Sequence, residues 1–96
     1  MPLYLDEIYF NVSSKDDYKK VYDLINAALT KGFPPGVTLK GGPWMSNEEP
    51  KVILILDIQD HSLTFEGMSG TIARGVAARR RLTPIVEWSA FEKIAK

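Results

Sequence analysis

Five consecutive aliphatic residues, Val52-Ile53-Leu54-Ile55-Leu56, constrain this chain more than any other stretch. Strand side chains alternate between faces, so the run puts apolar groups on both sides of any sheet that holds it. Lys51 to Ile58 therefore reads as a strand at the centre of a sheet whose two faces are both covered there. The run is far too short to span a bilayer.

The flanking segments supply the rest of the sheet. Leu3 to Val12 is rich in aromatic and β-branched residues and reads as a first strand. Ser14, followed by Asp16 and Asp17, offers an N-cap and acidic residues at the positive end of a helix dipole. Tyr18, Val21, Tyr22, Ile25, Ala28 and Leu29 then recur at helical spacing and are expected to face the core. Lys31-Gly32 ends that helix, and Pro34-Pro35-Gly36 prevents its continuation. Val37 to Trp44 reads as a second strand, joined to the third through the polar turn Ser46 to Pro50 as a hairpin. Phe65, Met68, Ile72 and Val76 suggest a second helix ending near Arg79-Arg80-Arg81, weakened by Gly67, Gly70 and Gly75. Leu82 to Trp88 reads as a fourth strand, where Pro84 favours a sheet edge. Ser89-Ala90-Phe91-Glu92 fits a capping box opening a short helix through Lys96.

The order β-α-β-β-α-β predicts an α+β fold of the ferredoxin-like kind, residues 1–96 forming one domain with strands one and three central in an antiparallel four-stranded sheet. Both helices then cover one face. Leu3, Leu5, Tyr9, Ile53 and Ile55 are expected on the other, and an apolar patch there asks for a partner. A second copy is the least demanding one, since a two-fold axis lets the patch bury itself against its twin. Three segments, Tyr9-Phe10-Asn11, Gly32-Phe33-Pro34-Pro35-Gly36-Val37 and Thr83-Pro84-Ile85-Val86-Glu87-Trp88, resemble an uncharacterised domain family within the dimeric α/β-barrel group. The resemblance implies this fold and a homodimer; it transfers no catalytic residue.

Charge and composition exclude several classes. Lys plus Arg and Asp plus Glu number 12 each, so no global field draws the chain to nucleic acid or anionic lipid. The absence of cysteine removes thiolate chemistry and cysteine-ligated metal sites, and His61 is the only histidine, so no metal and no cofactor are implied. The N-terminal residues carry no signal-peptide pattern, and a cytoplasmic protein is expected.

The candidate site residues each have a bland reading beside the chemical one. His61 titrates near neutrality but sits in a polar turn where solvation or capping is ordinary. Glu7 and Glu87 are expected on neighbouring strands, where proximity would raise one pKa for acid-base work; otherwise they are solvated strand ends. Tyr9 and Asn11 are expected to share the face of Leu3 and Leu5 and to orient a polar atom of a ligand, or else to be hydrogen-bonded within the protein. Trp44 and Trp88 can stack on a planar ligand or simply pack. Gly41-Gly42-Pro43 reads as a bulge, and Arg79 to Arg81, with Arg74, as solvated cations at a helix end or an anion site. These residues support a small, largely apolar or aromatic ligand held between two sheets. Two alternatives stand beside it: a cofactor-independent oxygenase or isomerase using the same cavity, and an interaction module without ligand.

Overall fold

A computed structural model describes residues 2–96. Its elements are β1 (Leu3–Phe10), α1 (Lys15–Lys31), β2 (Val37–Met45), β3 (Lys51–Ile58), a 3₁₀ turn (His61–Thr64), α2 (Phe65–Ala73), β4 (Ala77–Ile85) and α3 (Trp88–Ala95). The strands form one antiparallel sheet in the order β2-β3-β1-β4, consistent with a ferredoxin-like fold. The apolar run in β3 is indeed central, and Pro84 lies on an edge strand.

Alternation in β1 and β3 separates two environments. Ile8 and Phe10 of β1 and Val52, Leu54, Leu56 and Ile58 of β3 are buried on the face covered by the helices. Val21 of α1 is buried with them, and Leu24, Ile25 and Met68 pack against the cluster. Ile53 and Ile55 point the other way and stay half-buried, so the chain covers only one of the two faces that its central strand makes apolar.

Local chemistry sets the ends of α1. The Asp17 carboxylate accepts hydrogen bonds from the Ser13 and Ser14 backbone N–H groups at 2.8 and 3.2 Å and from the Ser13 hydroxyl at 3.0 Å. Those bonds, the Ser13 N–H foremost, hold Asp17 below its ordinary pKa. Gly32 ends the helix at φ 85°, its N–H donating to the Ala28 carbonyl. The buried stripe is rotated from the expected one, because α1 carries more apolar side chains than its contact with the sheet can cover. Val21, Leu24, Ile25 and Ala28 face inward, whereas Tyr22 is 66% exposed and Tyr18 and Leu29 are also exposed. Tyr18 and Tyr22 instead border a groove of about 300 Å³ with Pro43 and Met45 across from them.

The second helix is shorter than expected. Gly75, at φ 79°, breaks it just after Ala73, so Val76 leaves the helical stripe and Arg79, Arg80 and Arg81 lie on β4 instead of at a helix end. Phe65 and Ile72 are exposed, and Met68 and Thr71 turn inward. β4 accordingly starts and ends earlier than the sequence suggested. Trp88 opens α3, and Ser89 falls inside its first turn instead of capping it. Trp88, Phe91 and Ile94, spaced by three, leave an apolar face of α3 exposed.

The Ser46 turn joins β2 to β3 as a hairpin, the Ser46 hydroxyl accepting from the N–H groups of Glu48 and Glu49. Before it, the pairing shifts register on both sides of Gly41, so the Gly41-Gly42-Pro43 segment is a bulge. Gly42 has φ 86°, and a Cβ there would lie 2.6 Å from the Ile53 carbonyl oxygen. A Cβ on Gly67, within α2, would meet nothing within 4 Å. Gly42→Ala is therefore expected to destabilise the fold by about 1–3 kcal/mol through strain, and Gly67→Ala to stabilise it by up to about 1 kcal/mol through helix propensity. Urea unfolding midpoints that move in the same direction for both would contradict this reading.

Candidate functional site

Strand register gives the uncovered face of the sheet a mainly apolar half, bounded by the buried Asp57 opposite Leu3, which accepts from the Gln59 amide at 3.1 Å, and a charged half. Leu3 sits opposite Ile85, and Leu5 lies between Ile55 and Thr83. Trp44 pairs with Ile53 beside them, and its ring reaches over Gly41, where a Cβ would lie 3.0 Å from it. One step further along the strands, Glu7 lies between Ile53 and Arg81, and Tyr9 between Lys51 and Arg79.

That charged half is tightly connected. Lys51 Nζ lies 2.6 Å from Glu7 Oε2, 3.3 Å from Glu49 Oε2 and 3.4 Å from the Tyr9 hydroxyl. The Arg79 guanidinium stacks 3.7 Å from the Tyr9 ring centroid, a cation–π contact that buries the phenol ring. The hydrogen bond from Lys51, aided by the fields of Arg81 and Arg79, holds Glu7 below its ordinary pKa of 4.5. Lys51 is in turn held above its ordinary value, chiefly by Glu7.

The other sequence candidates are dispersed. The register puts Arg81 opposite Glu7, while Glu87 lies past the end of β4 at the N-terminus of α3. No carboxylate pair forms there, and Glu7 is shifted down instead of up, because its neighbours are cations. Asn11 lies past β1, where the register shifts between Tyr9 and Phe10, so strand alternation does not carry through to it. Its amide nitrogen donates to the Gly75 carbonyl at 3.0 Å and ties β1 to the α2–β4 turn. Trp88 is exposed and packs on Phe91 with ring centroids 4.9 Å apart. His61 is exposed at the start of the 3₁₀ turn.

Sequence reasoning missed a second site, beneath the helices. Asp6 of β1 and Arg80 of β4 point to the helix-covered face, with side chains only 3% and 13% exposed. Arg80 Nε donates to Asp6 Oδ1 at 2.8 Å and Nη2 to Oδ2 at 3.0 Å, a two-pronged pair, while Nη1 donates to Thr64 Oγ1. The pair lines a cavity of about 230 Å³ whose other walls include Ile8, Leu24, Leu54 and Met68. The signal was present in the sequence: Asp6 and Arg80 sit in their strands at positions of the apolar, inward-facing phase. The arginine run hid it by fitting a helix end equally well.

Nothing matches this chain among family models, curated proteins or solved structures. Among the described residues, no helix is long and apolar enough to cross a membrane.

Two measurements check this geometry. Arg80→Met leaves the Asp6 carboxylate buried without its cation, and the fold is expected to lose about 3–5 kcal/mol; an unchanged urea midpoint would place the pair in solvent. Glu7 has its pKa lowered on folding, so its contribution to stability is present above pH 4.5 and is lost as pH falls through the folded value. Glu7→Gln should therefore flatten the fall of stability with acid just below pH 4.5, and thermal unfolding curves that fall as steeply as those of the parent chain would count against the Lys51 contact.

Proposed function

We propose that this protein works as a homodimer that binds a small, largely apolar molecule between two facing sheets. The observation that carries the reading is the continuous patch of Leu3, Leu5, Ile53, Ile55 and Ile85, flanked by Trp44, on a sheet face that its own helices leave uncovered. Contiguous apolar surface of this kind is uncommon on a monomer and marks an interface or ligand surface. Four strands about 4.8 Å apart and eight residues long give a face of about 500 Å². Two such faces together reach the region of about 1,000 Å² at which specific interfaces begin. A two-fold axis makes each patch the complement of the other.

The residues at the charged end fit the reading as a polar rim. Glu7, Lys51 and Tyr9 satisfy one another within a chain, so that half can approach a partner without leaving a buried carboxylate unpaired. Trp44 supplies aromatic surface beside the apolar half, while the Tyr9 ring lies buried under Arg79. Asn11, turned to the Gly75 carbonyl, is better explained as a structural tie than as a ligand contact. Cytoplasmic residence and membership of the dimeric α/β-barrel group belong to the same proposal, on the strength of the sequence resemblance.

Light scattering coupled to size-exclusion chromatography tests the proposal. The parent chain should elute with the mass of two copies at micromolar concentration, and Ile53→Asp or Ile55→Asp should give a folded monomer, because a carboxylate in the interface would be buried unpaired. A parent chain that is monomeric under those conditions would sink the dimer. A dimer that survives both substitutions would move the interface elsewhere.

A further inference from the structure

The cavity beneath the helices lies within one chain and does not rest on the pairing of two copies. Its walls are apolar, with Ile8 and Leu54 from the sheet, Leu24 from α1 and Met68 from α2. Leu29 and Leu63, half-exposed, mark the rim. The polar part is the Asp6–Arg80 pair with Thr64. Apolar walls accept apolar guests: an enclosed apolar cavity of about 150 Å³ holds benzene, and this one, open to solvent on one side, has room at about 230 Å³ for a substituted single ring.

The chemistry of the polar part selects further. A guanidinium has five N–H donors, and three contacts, two to Asp6 and one to Thr64, occupy one each. Two N–H groups remain to meet an acceptor. The Asp6 carboxylate already balances the charge of Arg80, so an incoming anion would meet that carboxylate without a free cation to offset it. A neutral acceptor meets no such opposition.

We propose that the cavity between α1, α2 and the sheet is a binding site for a small aromatic molecule bearing a neutral hydrogen-bond acceptor, which docks on Arg80 with its ring among Ile8, Leu54 and Met68. Gly67 of α2 also lines the cavity, and a side chain starting there would meet no protein atom within 4 Å of its Cβ.

The test uses the full chain and three probes of one ring size: acetophenone, ethylbenzene and benzoate. Titrations followed by methyl NMR should show acetophenone shifting the Ile8, Leu54 and Met68 signals and binding about tenfold more tightly than ethylbenzene, as one hydrogen bond to a charged group implies. Benzoate should bind more weakly than acetophenone. Gly67→Leu and Ala28→Phe fill the cavity and should abolish binding while thermal unfolding shows a folded chain. Asp6→Leu combined with Arg80→Met replaces the pair by apolar side chains and should make acetophenone and ethylbenzene bind alike. The inference is overturned if acetophenone does not bind, if its shifts map to Leu5, Ile53 and Ile55 on the open face, if benzoate binds best, or if binding survives in the filled variants. Should the double variant not fold, the filled variants and the probe ranking decide alone.

Discussion

Arg80 reaches from an edge strand under the helices to meet Asp6 of the neighbouring central strand, and Thr64 closes the group from the start of α2. Three segments far apart in sequence thereby share one charge-neutral cluster that is largely withdrawn from water. A lone carboxylate or guanidinium there would be strongly unfavourable, so each holds the other in position. The seating of β4 against β1 follows, and with it the walls of the cavity above the pair. The contact is better regarded as a fixing device than as a large source of net stability, because desolvating two ions offsets much of their attraction.

The same alternation assigns opposite work to the neighbouring arginines. Arg79 and Arg81, one residue to either side, emerge on the open face, where Arg79 lies over Tyr9 and Arg81 faces Glu7. The two faces of the sheet thus carry different chemistry built from one short run. Below, a single neutral pair sits among aliphatic side chains; above, a connected set of cations, a phenol and a carboxylate adjoins an apolar patch.

Much of the framework was legible in the sequence because it rests on local rules. The two-sided β3 run, the Lys31-Gly32 stop, the Ser46 turn and the bulge at Gly41 to Pro43 depend on neighbouring residues alone. The central position of β1 and β3 followed from element order. What was hidden depends on distant partners. Arg79 to Arg81 suits a helix end as well as a strand, and only Gly75, breaking α2, decides between them. The face of α1 was blurred because Tyr18 and Tyr22 continue the apolar stripe beyond the surface that the sheet covers. The Glu7 and Glu87 pairing failed because the end of β4 was read three residues late: the strand stops at Ile85, short of Glu87. Alternation along β1 sends Asp6 to the face opposite Glu7, but its partner can be found only once β4 extends back through the arginines.

The bulge in β2 has a consequence for how copies of the chain can meet. β2 and β4 are the two margins of the sheet, and an open margin with regular N–H and C=O groups is a template for adding strands from other molecules, the geometry of aggregation. Pro43 lacks a donor in the middle of one margin and Pro84 lacks one in the other, while the broken register around Gly41 spoils the regular spacing an incoming strand would need. Both margins thus resist strand addition, and sideways growth of the sheet into a fibril is disfavoured.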